Sequence, residues 1–179
     1  MQTKEFLDLV WSDQGYYCVV SKDQQDNVTP IFLNTVDDAI AKVNVLLKNK
    51  LDVYYTCSTW LENTDRKAKN AREQKIFWLD IDCGFDAKKR RYKDYKTKED
   101  AMVALRKFTD ATKLPAPMVV DSGNGLHCYW PFVDPVAPAV WKPIAQGLKF
   151  LCVKHGFKSD SVCTSDISRI LRVPGTKNF

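Results

Sequence analysis

Short apolar clusters bounded by polar turns dominate the first third of the chain. β-branched and aromatic residues gather at Tyr16–Val20, Val28–Leu33 and Val53–Ser58, and such clusters are typical of β-strands. Between the second and third clusters, apolar residues recur at helical spacing over 36–47, after a threonine, Thr35, that is suited to cap a helix. The pattern predicts the order strand, strand, helix, strand.

The rest of the chain alternates charged and apolar segments. Residues Asp65–Gln74 are dense in charge and predict a short helix, which leads into the apolar run Ile76–Asp82, a predicted buried strand. Helices are also predicted over 97–113 and Pro138–His155, and Met118–Phe132 predicts a hairpin of two strands. Because strands and helices mix without regular βαβ alternation, the predicted fold class is α+β.

Composition limits the class of protein without defining its function. The 179 residues are 45% hydrophobic and 27% charged, which is usual for a globular protein with a proper core. No apolar stretch approaches the roughly 18–20 residues of a membrane helix, and the first residues lack a secretory pattern. We therefore expect a cytoplasmic protein, in the host cytoplasm if the chain is viral. The net charge of +5 favours a polyanionic partner only weakly.

The six cysteines lie far apart in the chain, with no Cys-x-x-Cys pair and only two histidines to join them. This spacing disfavours a zinc site. We expect reduced, mostly buried thiols, as is usual for cysteines in a reducing compartment.

Two aspartates separated by one residue end the predicted buried strand. Side chains alternate along a strand, so Asp80 and Asp82 face one way while Leu79 and Ile81 face the other. Two neighbouring carboxylates repel each other, and a divalent cation such as Mg²⁺ would remove that repulsion. A strand end whose acids simply face solvent explains the pattern equally well.

A glycine-rich turn joins the two strands of the predicted hairpin. Its sequence is Ser122-Gly123-Asn124-Gly125-Leu126-His127. Glycines let backbone amides approach a ligand closely, and Ser, Asn and His side chains can donate to phosphate oxygens. A tight Asn-Gly turn followed by a structural histidine is the simpler alternative.

The segment after the last predicted helix carries further acids and arginines. Asp160 and Asp166 precede Arg169 and Arg172, which lie three residues apart before a Pro-Gly turn. Arginine forks match phosphate geometry, so arginines close to a metal site would suit a nucleoside triphosphate. Salt-bridged arginines on a surface element explain the same pattern.

The Asp-x-Asp strand, the glycine-rich turn and the acidic and arginine-containing segment follow one another along the chain. Together, these three motifs resemble the archaeo-eukaryotic primase superfamily, and most closely the primase-polymerases (prim-pols) of phages and plasmids. That superfamily has an Asp-x-Asp or Asp-x-Glu strand, a Ser-Gly-x-Gly-x-His-like turn, and an Asp followed by an Arg-rich stretch. The resemblance runs from about residue 66 to residue 178. The chain departs from the pattern at Gly125, where many relatives have a serine two residues before the histidine.

The resemblance implies roles for individual residues. Asp80, Asp82 and Asp160 would be the catalytic ligands of two Mg²⁺ or Mn²⁺ ions. Asp166 competes with Asp160 for the third place, and is otherwise expected to be a partner of Arg169. The expected nucleotide-binding residues are Ser122, Gly123, Asn124, Gly125, His127, Arg169, Arg172 and Asn178.

The resemblance also implies an architecture, in which an N-terminal α/β subdomain packs on an RRM-like subdomain with the active cleft between them. We expect residues 1–179 to form this single catalytic domain of two interlocked subdomains, and to be the N-terminal part of a longer protein. The expected partners are a single-stranded DNA template, a primer strand, nucleoside triphosphates, and a fused or associated helicase.

Two basic clusters are candidates for nucleic-acid contact. One precedes the Asp-x-Asp strand, and the other follows it and is interrupted by Tyr92 and Tyr95, as in surfaces that bind a strand's backbone and stack its bases. The candidate residues are Arg66, Lys67, Lys69, Arg72, Lys89, Arg90 and Arg91. A charged helical face for the first cluster, and a solvated loop for the second, are the alternatives.

The function that these expectations define is a template-dependent nucleotidyltransferase, a DNA primase, a DNA polymerase or both, which joins nucleoside triphosphates to a 3′-hydroxyl. Positioning and charge neutralisation dominate such transfers, so no side-chain nucleophile is required. A metal-dependent nuclease or phosphodiesterase would use the same carboxylates. A non-catalytic module that binds single-stranded nucleic acid is the second alternative.

Overall fold

The computed structural model of the chain describes residues 1–177 and 179. Its α-helices are α1 (Thr3–Val10), α2 (Val36–Lys48), α3 (Lys98–Thr112) and α4 (Pro138–Lys154). Its strands are β1 (Tyr17–Lys22), β2 (Val28–Leu33), β3 (Asp52–Thr56), β4 (Ser58–Trp60), β5 (Ala71–Asp82), β6 (Phe85–Asp86), β7 (Arg91–Tyr92), β8 (Met118–Asp121), β9 (Gly125–Val136) and β10 (Ile170–Arg172).

Two compact units, each discontinuous in sequence, divide the chain. The first contains residues 1–76, 131–141 and 167–179, and the second contains residues 77–130 and 142–166. An antiparallel sheet with the strand order β10-β3-β1-β2 lies in the first unit. A second four-stranded sheet has the order β4-β5-β9-β8.

The first unit packs α2 against its antiparallel sheet and α1 against α2. Helix α2 begins after Thr35, as the sequence predicts, and buries Val43 and Leu46. Helix α1 has only 8 residues, too few for a clear helical repeat in the sequence. Its Phe6 ring contacts Tyr55 edge to face, with the ring centroids 5.4 Å apart.

The core of the second unit is formed by β5, β9, α3 and α4. Leu79 and Ile81 of β5 are fully buried there, and Phe108 of α3 and Cys152 of α4 are nearly so. Phe108 also stacks on Phe157, with the ring centroids 4.7 Å apart, which holds the segment after α4 against the core. The core therefore occupies the face of β5 that carries Leu79 and Ile81, and the opposite face is left for other contacts.

Most predicted elements are confirmed. Strands β1, β2 and β3, the second half of β5, the helices α2, α3 and α4, and the hairpin of β8 and β9 form where the sequence predicts them, and the fold class is α+β. Helix α1 and the short strands β6, β7 and β10 were not predicted from the sequence. All six cysteines are buried, and none of them is paired in a disulfide within the described residues. Across the described residues, none of the helices combines the length and the apolar character needed to cross a membrane.

The predicted helix over Asp65–Gln74 is wrong. Only Ala68–Asn70 forms a 3₁₀ turn, and β5 follows it directly. Dense charge favoured a helix, but the buried residues Gln74 and Ile76 follow the two-residue repeat of a strand. Pairing with β4 overrides the local propensity, and Gln74 Nε2 donates to Ser58 Oγ across that pair (2.9 Å).

Candidate active site

Strand β5 presents its two aspartates on one face near its C-terminal end. Leu79 and Ile81 are buried in the core, so the alternation of a strand turns Asp80 and Asp82 to the opposite side. Asp80 is partly buried, whereas Asp82 is exposed. This is the arrangement that the Asp-x-Asp spacing predicts.

Asp160 lies beside Asp80, although 80 residues separate them in the chain. The Asp160 amide donates to the Asp80 carbonyl oxygen (2.8 Å), and Trp78 Nε1 donates to the Cys163 carbonyl oxygen (3.0 Å). These bonds align the segment after α4 with β5. Asp160 Oδ1 accepts from the amides of Val162 (2.9 Å) and Cys163 (3.1 Å), which fixes the orientation of its carboxylate.

The side chains at this point fit a divalent cation. Carboxylate oxygens of Asp80 and Asp160 and the Sγ of Cys163 all lie within 4.8 Å of one another. A Mg²⁺ ion about 2.0–2.1 Å from each of two oxygens holds them at most about 4.2 Å apart, so at most a small side-chain movement is needed. Hard carboxylate oxygens suit Mg²⁺ or Mn²⁺, whereas the soft thiol of Cys163 suits them poorly.

Asp82 lies next to this cluster along the strand but has a different partner. Its Oδ1 pairs with Nζ of Lys93 at 3.1 Å. To bind an ion together with Asp80, the Asp82 carboxylate would have to exchange the Lys93 ammonium for the metal. The role of Asp82 as a metal ligand stays a prediction.

Asp94 is a further acid at this strand end, and the sequence motifs miss it. Its Oδ2 accepts from the Asp82 amide (3.3 Å). Burial raises the pKa of the Asp94 carboxyl above its ordinary value, and the negative charges of Asp82 and Asp80 raise it further. In the sequence, Asp94 lies within a run of basic residues and belongs to none of the three motifs. Only the pairing of Tyr95 with Cys83 brings it to the end of β5.

His127 is buried beside Asp80. Its Nε2 lies 3.6 Å from Asp80 Oδ1, and its Nδ1 lies 3.1 Å from the Tyr129 hydroxyl. When the tyrosine donates to Nδ1, the imidazole proton is on Nε2, on the side of the carboxylate. The ring therefore lies where it can orient Asp80 or contact an anion bound next to it.

Two residues of the glycine turn hold it against the end of β5. A Cβ atom on Gly125 would lie 1.9 Å from the Ile81 carbonyl oxygen, so only glycine lets the two strands approach here. The Asn124 carbonyl oxygen accepts from the Cys83 amide (2.9 Å). The glycine at which the chain departs from the pattern of the resemblance thus has a packing reason in this chain.

Two backbone amides of the turn are already engaged within it. The Gly123 amide donates to Asp121 Oδ1 (2.7 Å), and the Ser122 amide donates to the Gly125 carbonyl oxygen (3.1 Å). The Lys98 ammonium and the Gly123 amide lower the pKa of the Asp121 carboxyl. Phosphate binding by these two amides stays a prediction. Each amide would first have to give up its present hydrogen bond within the turn.

The remaining residues predicted to bind nucleotide belong to the C-terminal segment. Arg172 donates to Asp52 Oδ1 (3.2 Å) and to the Tyr54 hydroxyl (2.9 Å) within the first unit. Arg169 directly precedes β10 in the same unit. Asn178 lies outside the described residues. The guanidinium of Arg172 is thus already paired, and its phosphate contact stays a prediction.

The two basic clusters occupy different units. Arg66 Nη1 donates to the Ser168 carbonyl oxygen (3.3 Å), and Lys67 pairs with Asp65 (3.6 Å), both in the first unit. The first-unit members of the predicted nucleic-acid set are Arg66, Lys67, Lys69 and Arg72. The second-unit members are Lys89, Arg90 and Arg91. The first cluster does not form the helical face considered from the sequence, because β5 begins within it.

A polar cavity of about 350 Å³ lies beside Asp82. This volume is at the lower end of small-molecule sites. Acidic and basic side chains share its wall, as would suit a metal-bound phosphate. The charged lining residues are Asp82, Asp86, Lys89, Arg91, Lys93, Asp94 and Lys158.

Solved structures of a primase-polymerase and of a primase share this fold. The AEP domain of the cyanophage S-2L primase-polymerase (PrimPol) matches over 96% of this chain and 80% of that chain, with a TM-score of 0.63 and 17% identity. The catalytic domain of primase RepB′, solved in complex with initiator DNA, matches over 99% of this chain and 79% of that chain, with a TM-score of 0.57 and 14% identity. In a longer RepB′ primase structure, the chain spans 51% of the protein.

These likenesses define the class of fold. The chain has the archaeo-eukaryotic primase fold, in its prim-pol form, as the order of the three motifs predicts. The RRM-like character of one subdomain stays a prediction. No protein-family model matches the chain, and no curated protein sequence matches it either.

Proposed function

We propose that this chain is a template-dependent nucleotidyltransferase, which acts as a DNA primase, a DNA polymerase or both. The observation that carries the proposal is the convergence of Asp80 and Asp160, whose carboxylate oxygens lie within 4.8 Å of each other at the end of β5. The prim-pol fold supports the same function. Residues 1–179 would form the catalytic domain.

Asp80 and Asp160 would hold the catalytic cation, with Asp82 as a third ligand after it leaves Lys93. Two Mg²⁺ or Mn²⁺ ions held by these carboxylates would supply the activation of the 3′-hydroxyl and the neutralisation of charge on the leaving pyrophosphate. The contribution of the protein is to keep the carboxylates in place before the substrates arrive. Backbone bonds do this for Asp160, and the buried strand does it for Asp80.

The triphosphate would lie between His127 and the cavity beside Asp82. The buried imidazole of His127 is 3.6 Å from Asp80, close enough to contact a phosphate that shares the cation. Lys93 and Lys158 line the cavity and can pair with phosphate oxygens. When Asp82 binds the metal, the ammonium of Lys93 becomes available for the nucleotide.

The proposed partners are an unpaired DNA template, a primer strand and nucleoside triphosphates, with a fused or associated helicase. The likeness to a RepB′ catalytic domain that was solved with initiator DNA supports DNA as the polymer. The net charge of +5 is in keeping with a polyanionic partner.

An incorporation assay on single-stranded template tests the proposal. Primed and unprimed templates are incubated with Mg²⁺ or Mn²⁺ and with ribo- and deoxynucleotides in separate reactions. We expect template-dependent incorporation, and a loss of at least about 100-fold in Asp80→Asn and Asp160→Asn, because each variant removes a charge that the cation needs. The matched control is Asp110→Asn, which changes an exposed aspartate on α3 and should keep full activity.

Other outcomes would point to the alternatives. Undiminished incorporation by Asp80→Asn or Asp160→Asn would remove the proposed site. Metal-dependent cleavage of labelled DNA in the absence of nucleotides would indicate a nuclease or phosphodiesterase. Tight DNA binding without any metal-dependent turnover would indicate a binding module.

A further inference from the structure

A short hairpin follows directly on the strand that carries the candidate metal ligands. Strands β6 and β7 pair in it, with Phe85 opposite Tyr92 and Asp86 opposite Arg91. Asp86 Oδ1 accepts from the amides of Lys88 and Lys89 (both 3.0 Å), which shapes the turn. The segment thus forms a short hairpin, with its turn residues exposed to solvent.

Two aromatic side chains lie exposed on this hairpin. Phe85 is 57% exposed and Tyr92 is 53% exposed. Their rings contact each other edge to face, with centroids 5.4 Å apart and an interplanar angle of 74°. Neighbouring exposed aromatic rings are more typical of a contact surface than of scattered surface residues, because exposing both to water is unfavourable.

The charge around the two rings identifies the chemistry of the partner. Residues 83–97 contain six basic and two acidic side chains, so they carry four of the five excess positive charges of the chain. The Lys96 ammonium lies over the Tyr92 ring, 5.4 Å from its centroid. In the described part of the chain, none of the side chains of Lys88, Arg90 and Arg91 has an ion-pair partner. These cations can therefore pair with an external polyanion.

The hairpin is anchored at the candidate active site by its backbone. The Tyr95 amide donates to the Asp82 carbonyl oxygen (3.2 Å), and the Gly84 amide donates to the Tyr95 carbonyl oxygen (2.9 Å). Phe85 is only three residues beyond Asp82, so their Cα atoms are at most about 11 Å apart. A base stacked on this hairpin would therefore lie close to the carboxylates.

We propose that the Phe85–Tyr92 hairpin is a stacking surface for unpaired nucleic acid. Bases would stack on the exposed aromatic rings while Lys88, Arg90 and Arg91 pair with the phosphates. Binding itself requires only the hairpin. The further role of the hairpin, which is to lead the strand to the carboxylates, rests on the proposed function.

The test is the affinity for a labelled oligothymidylate, measured by fluorescence anisotropy in EDTA without nucleotides. We expect the double variant Phe85→Ala/Tyr92→Ala to bind roughly 5- to 100-fold more weakly, as is typical of lost base stacking. Phe85→Trp/Tyr92→Trp should bind at least as well as the unaltered chain, because it keeps the aromatic faces. The matched control is Phe150→Ala, which removes a 64% exposed aromatic ring from α4 in the same unit and should leave the affinity unchanged.

Salt dependence tests the charged part of the proposal. The logarithm of the binding constant falls with the logarithm of the salt concentration by about 0.7 for each phosphate contact on a single strand. The triple variant Lys88→Gln/Arg90→Gln/Arg91→Gln should therefore reduce this slope by about 2. The Phe85→Ala/Tyr92→Ala variant should lower the affinity and leave the slope unchanged.

Two results would overturn the proposal. One is an affinity of Phe85→Ala/Tyr92→Ala equal to that of the Phe150→Ala control. The other is an equal loss for duplex and single-stranded DNA, since a duplex has no free base faces to stack. Because the measurement needs neither metal nor nucleotides, a chain without incorporation activity can still show the hairpin effect. Conversely, a chain with incorporation activity can lack the hairpin effect, so the two proposals can fail separately.

Discussion

At the scale of single residues, backbone hydrogen bonds and the burial of neighbouring residues position Asp80 and Asp160 in the candidate site. Asp160 accepts from two successive amides of its own turn and donates its amide to the Asp80 carbonyl oxygen. Asp80 is fixed by the burial of Leu79 and Ile81 on either side. Such preorganisation suits a site that must hold cations without rearrangement.

A glycine substitution tests the close contact between the turn and β5. Gly125→Ala should lower the free energy of unfolding by at least about 1–3 kcal/mol, because its Cβ would lie 1.9 Å from the Ile81 carbonyl oxygen. Gly147→Ala is the matched control: this helical glycine meets nothing within 4 Å, and the change should raise the free energy of unfolding by about 0.5–1 kcal/mol. Urea denaturation measures both, and equal stabilities for the two variants would contradict the packing reason for Gly125.

At the scale of elements, local signals predict this chain well where a helix or hairpin is specified by its own residues. Helix α3 has a threonine cap and early acids, and it ends before Leu114-Pro115. The first part of β5, residues 71–75, could not be predicted, because its sequence is charged and only pairing with β4 makes it extended. Asp94 was missed for the same reason, since strand pairing and not spacing brings it to Asp82.

The cap of α3 gives a prediction at this scale. Thr97 Oγ1 accepts from the Asp100 amide (3.0 Å) at the first turn. Thr97→Ala should lower the free energy of unfolding by about 1 kcal/mol, whereas Thr97→Ser should keep most of it, because serine offers the same oxygen. Thermal or urea denaturation distinguishes the two variants. An alanine variant as stable as the serine variant would show that the cap contributes nothing.

At the scale of the whole molecule, the distribution of charge and of thiols follows from what is buried. The excess positive charge is concentrated between β5 and α3, next to the acids. The six cysteines are buried, as small apolar side chains usually are, and none of them is paired in a disulfide within the described residues. The pattern of apolar and polar residues predicted the α+β class, and the spacing of the cysteines predicted the buried thiols. The discontinuous composition of the two units depends on long-range contacts that no local pattern reveals.

The buried thiols predict a loss of stability at alkaline pH. Burial raises the pKa of Cys18 and of Cys128 from 9.0 to about 12. The unfolded chain loses these protons from about pH 9 while the folded chain keeps them, so unfolding is favoured as the pH rises. The free energy of unfolding should fall by up to about 1.4 kcal/mol per pH unit for each thiol.

Urea denaturation at pH 8 and at pH 10 measures this effect, with Cys128→Ala as the comparison. The variant should lose less stability than the unaltered chain between the two pH values, because it lacks one of the thiols whose pKa is raised by burial. Iodoacetamide at pH 8 should react with Cys18 and Cys128 only after unfolding. An identical pH dependence in the variant would show that Cys128 does not contribute.

The most direct measurement for the central claim is a Mn²⁺ titration followed by electron paramagnetic resonance. Asp80 and Asp160 are proposed to hold the cation together, so Asp80→Asn and Asp160→Asn should each weaken Mn²⁺ binding at least about tenfold. Asp166→Asn, at the competing position, and the exposed control Asp110→Asn should bind like the unaltered chain. Unchanged Mn²⁺ affinity in Asp160→Asn would contradict the account.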